Sequence, residues 1–311
     1  MSTNPKFHAR NKCPLCGSCD IGDRLTLSGI RIAVCRICGF IFSRDILSAS
    51  EIDQFYIDDY IDGYHDRLHM NGQRVNATIN IGILRSFCSN LVGHSLLDIG
   101  SGYGFLLDKA RNCGVARAVG VELSKEQYSY SIDKLNLETF RKMDNLSADE
   151  QFDIVTAFEV IEHIPEPKDF IQGASRLLKT GGSLIIGTDN FASSVVNTLG
   201  GQFPKWIPHE HVSHFTEKTL KRMLESDGTL RYVDGLSFTP WELRLRQLIF
   251  QLTSGRKGGK PYTNPWEYNS ADGHKGYRFF LLRHKLNYIW FKLTSRANFD
   301  GELMFMHMIK V

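Results

Sequence analysis

The sequence predicts an α/β fold: alternating strands and helices, preceded by a small metal-binding unit and interrupted by a helical insertion before the last strand. Three observations lead there. An apolar strand, Ser95-Leu-Leu-Asp98-Ile, runs directly into the glycine-rich Gly100-Ser-Gly102-Tyr-Gly104 and then into the helical pattern FLLDKARN. A second apolar strand, Ala116–Val121, follows at the spacing of a β-α-β unit. Near the N-terminus stand two C-x-x-C-G units, Cys13-Pro-Leu-Cys16-Gly and Cys35-Arg-Ile-Cys38-Gly.

Bulk properties narrow the class. A length of 311 residues suits one core with one or two additions, and 42% apolar content supplies that core. The net charge of +3 gives no global attraction to nucleic acid, so any basic character that matters is local. No run of eighteen apolar residues occurs, and MSTNPKFHARNKCPLC lacks the apolar stretch of a secretory signal. The chain is therefore expected in the cytoplasm, where seven cysteines are more often metal ligands or buried thiols than disulfides.

The two cysteine pairs lie eighteen residues apart, within the C-x2-C-x15–20-C-x2-C pattern of a tetrahedral zinc site. Each spacer lets two thiolates face one ion, and the following glycine permits the turn that aims N–H groups at sulfur. Between them DRLTLSGIRIAVC alternates as a hairpin does. Residues 1–45 are thus expected to form a zinc ribbon, with Cys13, Cys16, Cys35 and Cys38 as ligands of a structural zinc. Cys19 extends the first pair toward an iron–sulfur pattern, but the closing C-x3-C of that pattern is absent.

Residues 46–72 read as a linker or flap, with Tyr56, Tyr60 and Tyr64 recurring every four residues, placed either to stack on a ligand or to join ribbon and core. Gln73–Leu91 has helical spacing and opens the core, residues 73–240. In the glycine turn the backbone can approach a ligand closely, and the helix behind it presents free N–H groups. The G-x-G-x-G spacing, with Asp98 just before it, suits an amino-acid ammonium better than a pyrophosphate. Glu122, ending the second strand about twenty residues on, is placed to accept both hydroxyls of a ribose.

Further on come Phe152-Asp153-Ile-Val-Thr-Ala-Phe-Glu159-Val-Ile-Glu162-His163-Ile and Ala174-Ser-Arg-Leu-Leu-Lys179-Thr-Gly181-Gly182. In this order and spacing, over residues 75–235, the chain resembles the class I S-adenosylmethionine (SAM)-dependent methyltransferases. The resemblance implies a Rossmann-like sheet of seven strands and SAM as cofactor. It puts Gly100, Ser101, Gly102 and Gly104 in the cofactor loop, Asp98 beside the methionine moiety, Glu122 with Leu123 at the ribose, and Asp144 near the adenine. Phe158 and Glu159 would border the methyl group and the acceptor, and His163 would brace the turn.

The acceptor end is expected at Lys205-Trp-Ile-Pro-His209-Glu210-His211-Val-Ser-His214, which holds three of the eleven histidines within six residues. A histidine–carboxylate cluster supplies a base whose pKa lies near working pH, so His211 with Glu210, and His214 beside them, are the catalytic candidates. Two other readings stand against them: metal binding by His211, His214 and Glu210, or a structural entry to the helix TEKTLKRMLES with Thr216 as its N-cap. A ribbon followed by such a core looks like enzymes that methylate sugars in nucleotide-linked, lipid-linked or polysaccharide pathways, some of which methylate carbon with a Y-H-E-H motif. His209-Glu210-His211 matches its last three positions, Pro208 replaces its tyrosine, and the chain ends before the extra C-terminal domain of those enzymes. A glycan or small-molecule acceptor methylated at a sugar hydroxyl is the expectation. Methylation of RNA or protein, carbon methylation, and a non-enzymatic SAM-binding scaffold are the alternatives.

Leu230–Phe238 suits a sixth strand and residues 300–311 the last one, leaving 241–299 inserted. There Phe279, Leu282, Leu286, Ile289 and Leu293 fall on one helical stripe beside Arg278, Arg283, Lys285, Lys292 and Arg296. Such a helix either packs its stripe over the core as a lid with a solvated basic face, or uses that basic face to bind the diphosphate of an activated sugar or to lie on an anionic membrane.

Overall fold

A computed structural model describes residues 7–27, 29–54, 67–253 and 275–311, with the side chains of 49, 53, 67–69, 275–281 and 284 not described. Tyr56, Tyr60 and Tyr64 lie outside the described residues, as does the side chain of Phe279.

The ribbon comprises β1 (His8–Ala9), β2 (Ile21–Leu27), β3 (Ile30–Cys35), β4 (Ile41–Ser43) and β5 (Asp45–Ile46). The expected hairpin is present as antiparallel β2 and β3, with a bulge between Asp23 and Leu25. After α1 (Ala49–Gln54), the core opens with α2 (Arg67–Phe87). This helix starts and stops earlier than the expected Gln73–Leu91, because Ser89-Asn90 favours a turn over further helix. Then come β6 (Ser95–Ile99), α3 (Phe105–Asn112), β7 (Arg117–Val121), α4 (Lys125–Asp133), β8 (Glu138–Phe140), β9 (Phe152–Phe158), α5 (Pro167–Arg176) and β10 (Leu178–Asp189). The chain continues through α6 (Ser194–Leu199), β11 (Ser213–His214), α7 (Glu217–Leu224), β12 (Leu230–Phe238), α8 (Trp241–Thr253), α9 (Lys275–Thr294) and β13 (Leu303–Lys310).

The seven-stranded Rossmann-like sheet expected from the sequence is present, in the order β12-β13-β10-β9-β6-β7-β8. Strands β8, β7, β6, β9 and β10 run parallel, and β13 enters antiparallel between β10 and β12. Helices cover both faces of the parallel part, so Leu96, Leu97, Val155 and Ala157 are buried, as near-continuous apolar strands require.

The ribbon is not a separate appendage. Its sheet runs β11-β4-β3-β2, so a strand from the end of the histidine-rich segment is its fourth member. Ser43 N–H donates to the Val212 carbonyl at 2.9 Å, and Ser43 Oγ to the Pro208 carbonyl at 2.8 Å. Phe40 stacks with Phe42 and packs at a tilt on Phe215, in one buried cluster that continues into the core of the seven-stranded sheet.

In the insertion, α9 packs on α2 through Phe291, which joins Ile79, Ile83 and Phe238. The reading in which the leucine stripe covers the core is corrected here. Leu282, Leu286, Ile289 and Leu293 are exposed, and the buried face carries Asn287 and Phe291.

Candidate active site

The parallel strands end at one edge of the sheet, where ligands bind in such folds. A cleft of about 550 Å³ lies there, lined by the loop after β6, the end of β7, the turn before β9, the end of β9 and one face of α2. Asp98, Gly100, Ser101, Gly102, Glu122, Leu123, Asp144, Phe158 and Glu159 all line it. Gly104 does not. It caps α3 at φ +82°, and a Cβ there would lie 2.4 Å from Leu137 Cδ1, so its role is in the turn and the packing behind the loop.

Asp98 is buried and its Oδ1 accepts from Thr156 Oγ1 at 2.7 Å. Burial drives its pKa up to about 7, with the Thr156 hydrogen bond opposing and the Glu122 charge reinforcing. Among the described residues no cationic side chain pairs with it, which suits a site for a ligand ammonium. Glu122 accepts from Gly102 N–H at 2.8 Å and from Ser124 N–H at 2.7 Å, bracing the glycine loop. Burial raises its pKa, and the N–H groups counter. Ser101 Oγ is buried in the cleft wall without a hydrogen-bond partner. A carboxylate for an amine, a carboxylate for a diol and an unsatisfied hydroxyl fit SAM.

Sequence reasoning missed Gln73, Asn76 and Asn80 of α2, which form the facing wall. Their spacing is that of one helix face, and three amides on one stripe was a legible signal. Arg141 and Lys142, beside Asp144, were passed over as well.

Glu159 ends β9 at φ +55°, a left-handed conformation that is costly for a residue with a side chain and is met at ligand sites. Beyond it lies a buried polar network. Lys205 Nζ is 2.6 Å from Asp189 Oδ1, 3.5 Å from Glu302 Oε1 and 3.6 Å from Glu159 Oε2. The other Asp189 oxygen lies 3.3 Å from His211 Nδ1. Burial would raise the Asp189 pKa, but Lys205 and His211 drive it well below the ordinary carboxylate range. Burial would lower that of His211, but Asp189 and Glu162 raise it above the ordinary value. The His211 ring meets the edge of His163, 4.6 Å between centroids, and His163 lines the cleft. The network thus reaches from β10 to the cleft wall.

Two catalytic expectations are corrected. Glu210 does not pair with His211: its carboxylate lies 3.2 Å from His209 Nε2, and its backbone carbonyl 3.1 Å from His163 Nδ1. The partner is Asp189, at the end of β10. His214 is fully buried between Phe191 and Trp206, with both ring nitrogens unpartnered and its pKa lowered to about 3 by burial. Its backbone serves β11, and Thr216 caps α7 as the structural reading held. His211, His214 and Glu210 do not converge as metal ligands.

In the ribbon the four predicted cysteine sulfurs do converge. Sγ–Sγ distances are 3.5 Å for Cys13–Cys38 and for Cys16–Cys35, and all four lie within 4.8 Å of one another. Gly17 and Gly39, at φ +72° and +76°, donate to the carbonyls of Cys13 and Cys35 and close the two knuckles. Tetrahedral Zn–S bonds of about 2.3 Å require sulfurs roughly 3.8 Å apart, so the donor set fits zinc. Cys19 is exposed and outside the group.

Comparison with known proteins agrees with the sheet and the cleft. The model of a methyltransferase domain family matches residues 74–229. The mitochondrial ubiquinone biosynthesis O-methyltransferase of Dictyostelium discoideum is 34% identical over 174 residues, 48% of this chain and 54% of that protein. The ubiquinone biosynthesis O-methyltransferase of Aromatoleum aromaticum is 30% identical over 169 residues, 49% of this chain and 71% of that protein. The chain thus spans about half the length of the first relative, and neither is a sugar-pathway enzyme. A SAM-dependent methyltransferase from Thermotoga maritima superposes with a TM-score of 0.53 at 14% identity, covering 83% of this chain and all of that one, which shows the fold. The family match spans the five parallel strands and the glycine loop, and the chain belongs to the methyltransferase-domain family of SAM-dependent, Rossmann-like enzymes.

Proposed function

We propose that this protein transfers the methyl group of SAM to a hydroxyl oxygen, with His211 as the general base and Asp189 as the residue that orients and charges it. When bound, SAM supplies an electrophilic methyl on sulfur. The chain's own work is to hold Asp98 against the amine and Glu122 against the ribose, and to take the hydroxyl proton at His211. The observation that carries this reading is the buried His211–Asp189–Lys205 network reaching the cleft through His163. Proximity does much of the remaining work, since oxygen, carbon and sulfur must be nearly collinear at contact.

For the acceptor, a quinone-type ring hydroxyl is favoured over a sugar hydroxyl. Relatives named for ubiquinone biosynthesis support it, and so does acidity: a phenolic hydroxyl, with pKa near 10, is a better match for an imidazole base than an aliphatic alcohol. The four ribbon cysteines are proposed to hold a structural zinc, because protein sulfurs would fill every position.

The test is His211→Ala with labelled SAM and two acceptor sets, polyprenylated catechols and sugar nucleotides. Turnover on a catechol should fall by roughly 10²–10⁴-fold with SAM affinity unchanged. Unchanged turnover would remove His211 from catalysis, and wild-type activity on sugar nucleotides alone would overturn the acceptor class.

A further inference from the structure

Helix α8 is apolar on two sides: Leu243 and Phe250 pack inward with the cluster of Phe191 and Phe203, and a second apolar stripe points outward. A surface helix normally buries its apolar stripe and exposes its polar one. In α8 the buried residue is Gln247, whose amide donates to Thr198 Oγ1 at 3.0 Å, while Arg246 donates to the Gln202 carbonyl at 2.8 Å. The stripe at helical spacing, Leu245, Leu248, Ile249 and Leu252, faces solvent. Helix α9 repeats the pattern with Leu282, Leu286, Ile289 and Leu293 outward and Asn287 buried, where it bridges to Glu242 of α8 at 3.0 Å. These eight aliphatic side chains are 41–86% exposed. Single exposed leucines are ordinary, but two full stripes on helices that touch each other are not.

The same helices are basic. Together they hold seven lysines and arginines against one acid, Glu242. Arg244, Arg246 and Arg283 turn to partners at Asp300, Gln202 and Glu242, while the exposed Lys285 and Lys292 flank the outward stripe of α9. From these two observations we infer that the outward faces of α8 and α9 form a docking surface for an anionic lipid bilayer, lying in the interface without crossing it. Among the described residues no helix is long and apolar enough to cross a membrane. A second copy of the chain is a poorer occupant, because a two-fold contact between these faces would set the lysines of one copy against those of the other. Nucleic acid would use the charge and leave eight aliphatic side chains in water.

The platform is fixed to both sides of the active site. Helix α9 packs on α2, whose Gln73, Asn76 and Asn80 line the cleft, and α8 packs on α6 and the segment leading to Lys205. Docking would therefore hold the cleft next to lipid. The inference stands on the surface itself and is independent of which acceptor is methylated.

Vesicle flotation of the full chain tests it, with phosphatidylcholine vesicles with and without phosphatidylglycerol. The protein should float with the anionic vesicles and release as salt rises, and the Leu248→Asp/Leu252→Asp and Lys285→Glu/Lys292→Glu pairs should each cut partition about tenfold or more. An unchanged thermal shift with SAM shows that the variants remain folded. Flotation by neither vesicle, equal flotation by both, or full flotation of either variant would overturn the proposal. So would sedimentation showing a dimer that the leucine variant alone dissociates, or salt-sensitive RNA binding without flotation.

Discussion

Replacing Asp98 by asparagine should stabilise the cofactor-free protein while weakening SAM binding. The Asp98 carboxyl is buried beside Glu122, and its pKa stands near 7 against an ordinary 3.8. A carboxyl whose pKa is raised by folding stabilises the protein only where it is protonated. Its contribution is full below about pH 4 and is lost as pH rises through 7. The difference of about three pH units, at 1.36 kcal/mol each, amounts to about 4 kcal/mol of stability lost between pH 4 and pH 8. The amide of the Asp98→Asn variant would keep an oxygen for Thr156 Oγ1 and carry no charge, so the stability difference between variant and wild type should grow by about 4 kcal/mol over that range. SAM binding draws on the same equilibrium, because the ammonium recognises the ionised carboxylate. Wild-type affinity should rise about fourfold from pH 6 to pH 8, because the ligand's α-ammonium, with a pKa of about 7.8, loses part of its charge over the same range, and the variant should bind weakly at both. Urea unfolding of both apo proteins at about pH 4, 6 and 8, with calorimetric titration of SAM, reads both effects. A stability difference that stays flat with pH, or wild-type affinity without pH dependence, would refute the assignment of Asp98 as a desolvated partner for a cation.

Three other substitutions probe separate parts of the structure. Asp189→Asn removes the charge that holds His211 above its ordinary pKa, so the rising limb of the kcat–pH profile should move to lower pH as the plateau falls, by roughly a hundredfold; a profile with an unmoved midpoint would separate Asp189 from the base. Gly104→Ala, which forces a Cβ into Leu137 at φ +82°, should cost about 1–3 kcal/mol in urea unfolding, and a neutral result would mean that the turn can relax. Cys35→Ser should lower the melting temperature and kcat while SAM affinity stays within a few-fold, because the ribbon pairs with the His211 segment and the cleft belongs to the main sheet. Equal loss of SAM binding in calorimetry would show instead that the ribbon supports the whole core.

The ribbon explains why that last separation is expected. Its strand β4 hydrogen-bonds to Val212 and Pro208, on either side of His211, and Arg10 donates to the carbonyl of Pro165 just after the Glu162-His163 turn. Metal ligation by the four cysteines at one end of this small sheet would thus fix the loop that carries the proposed base at the other. Rigid support of this kind is what a proton acceptor needs to meet a bound hydroxyl within hydrogen-bond reach.

Features that depend on neighbours along the chain could be read from the residues alone. The strand ending at Asp98, the glycine turn, Glu122 at the end of β7, the two cysteine knuckles and the β12 boundaries were all legible, because strand alternation, turn chemistry and two-residue ligand spacing are local. The pairings between elements came only with three-dimensional packing. It gave His211 to Asp189, 22 positions away, instead of adjacent Glu210, whose carboxylate swings to His209. It buried His214 in an aromatic cage, joined β11 to the ribbon, and turned one leucine stripe each of α8 and α9 outward. Helical periodicity marks a stripe without saying whether protein or another phase covers it, and a carboxylate's partner is set by which strand ends packing brings together.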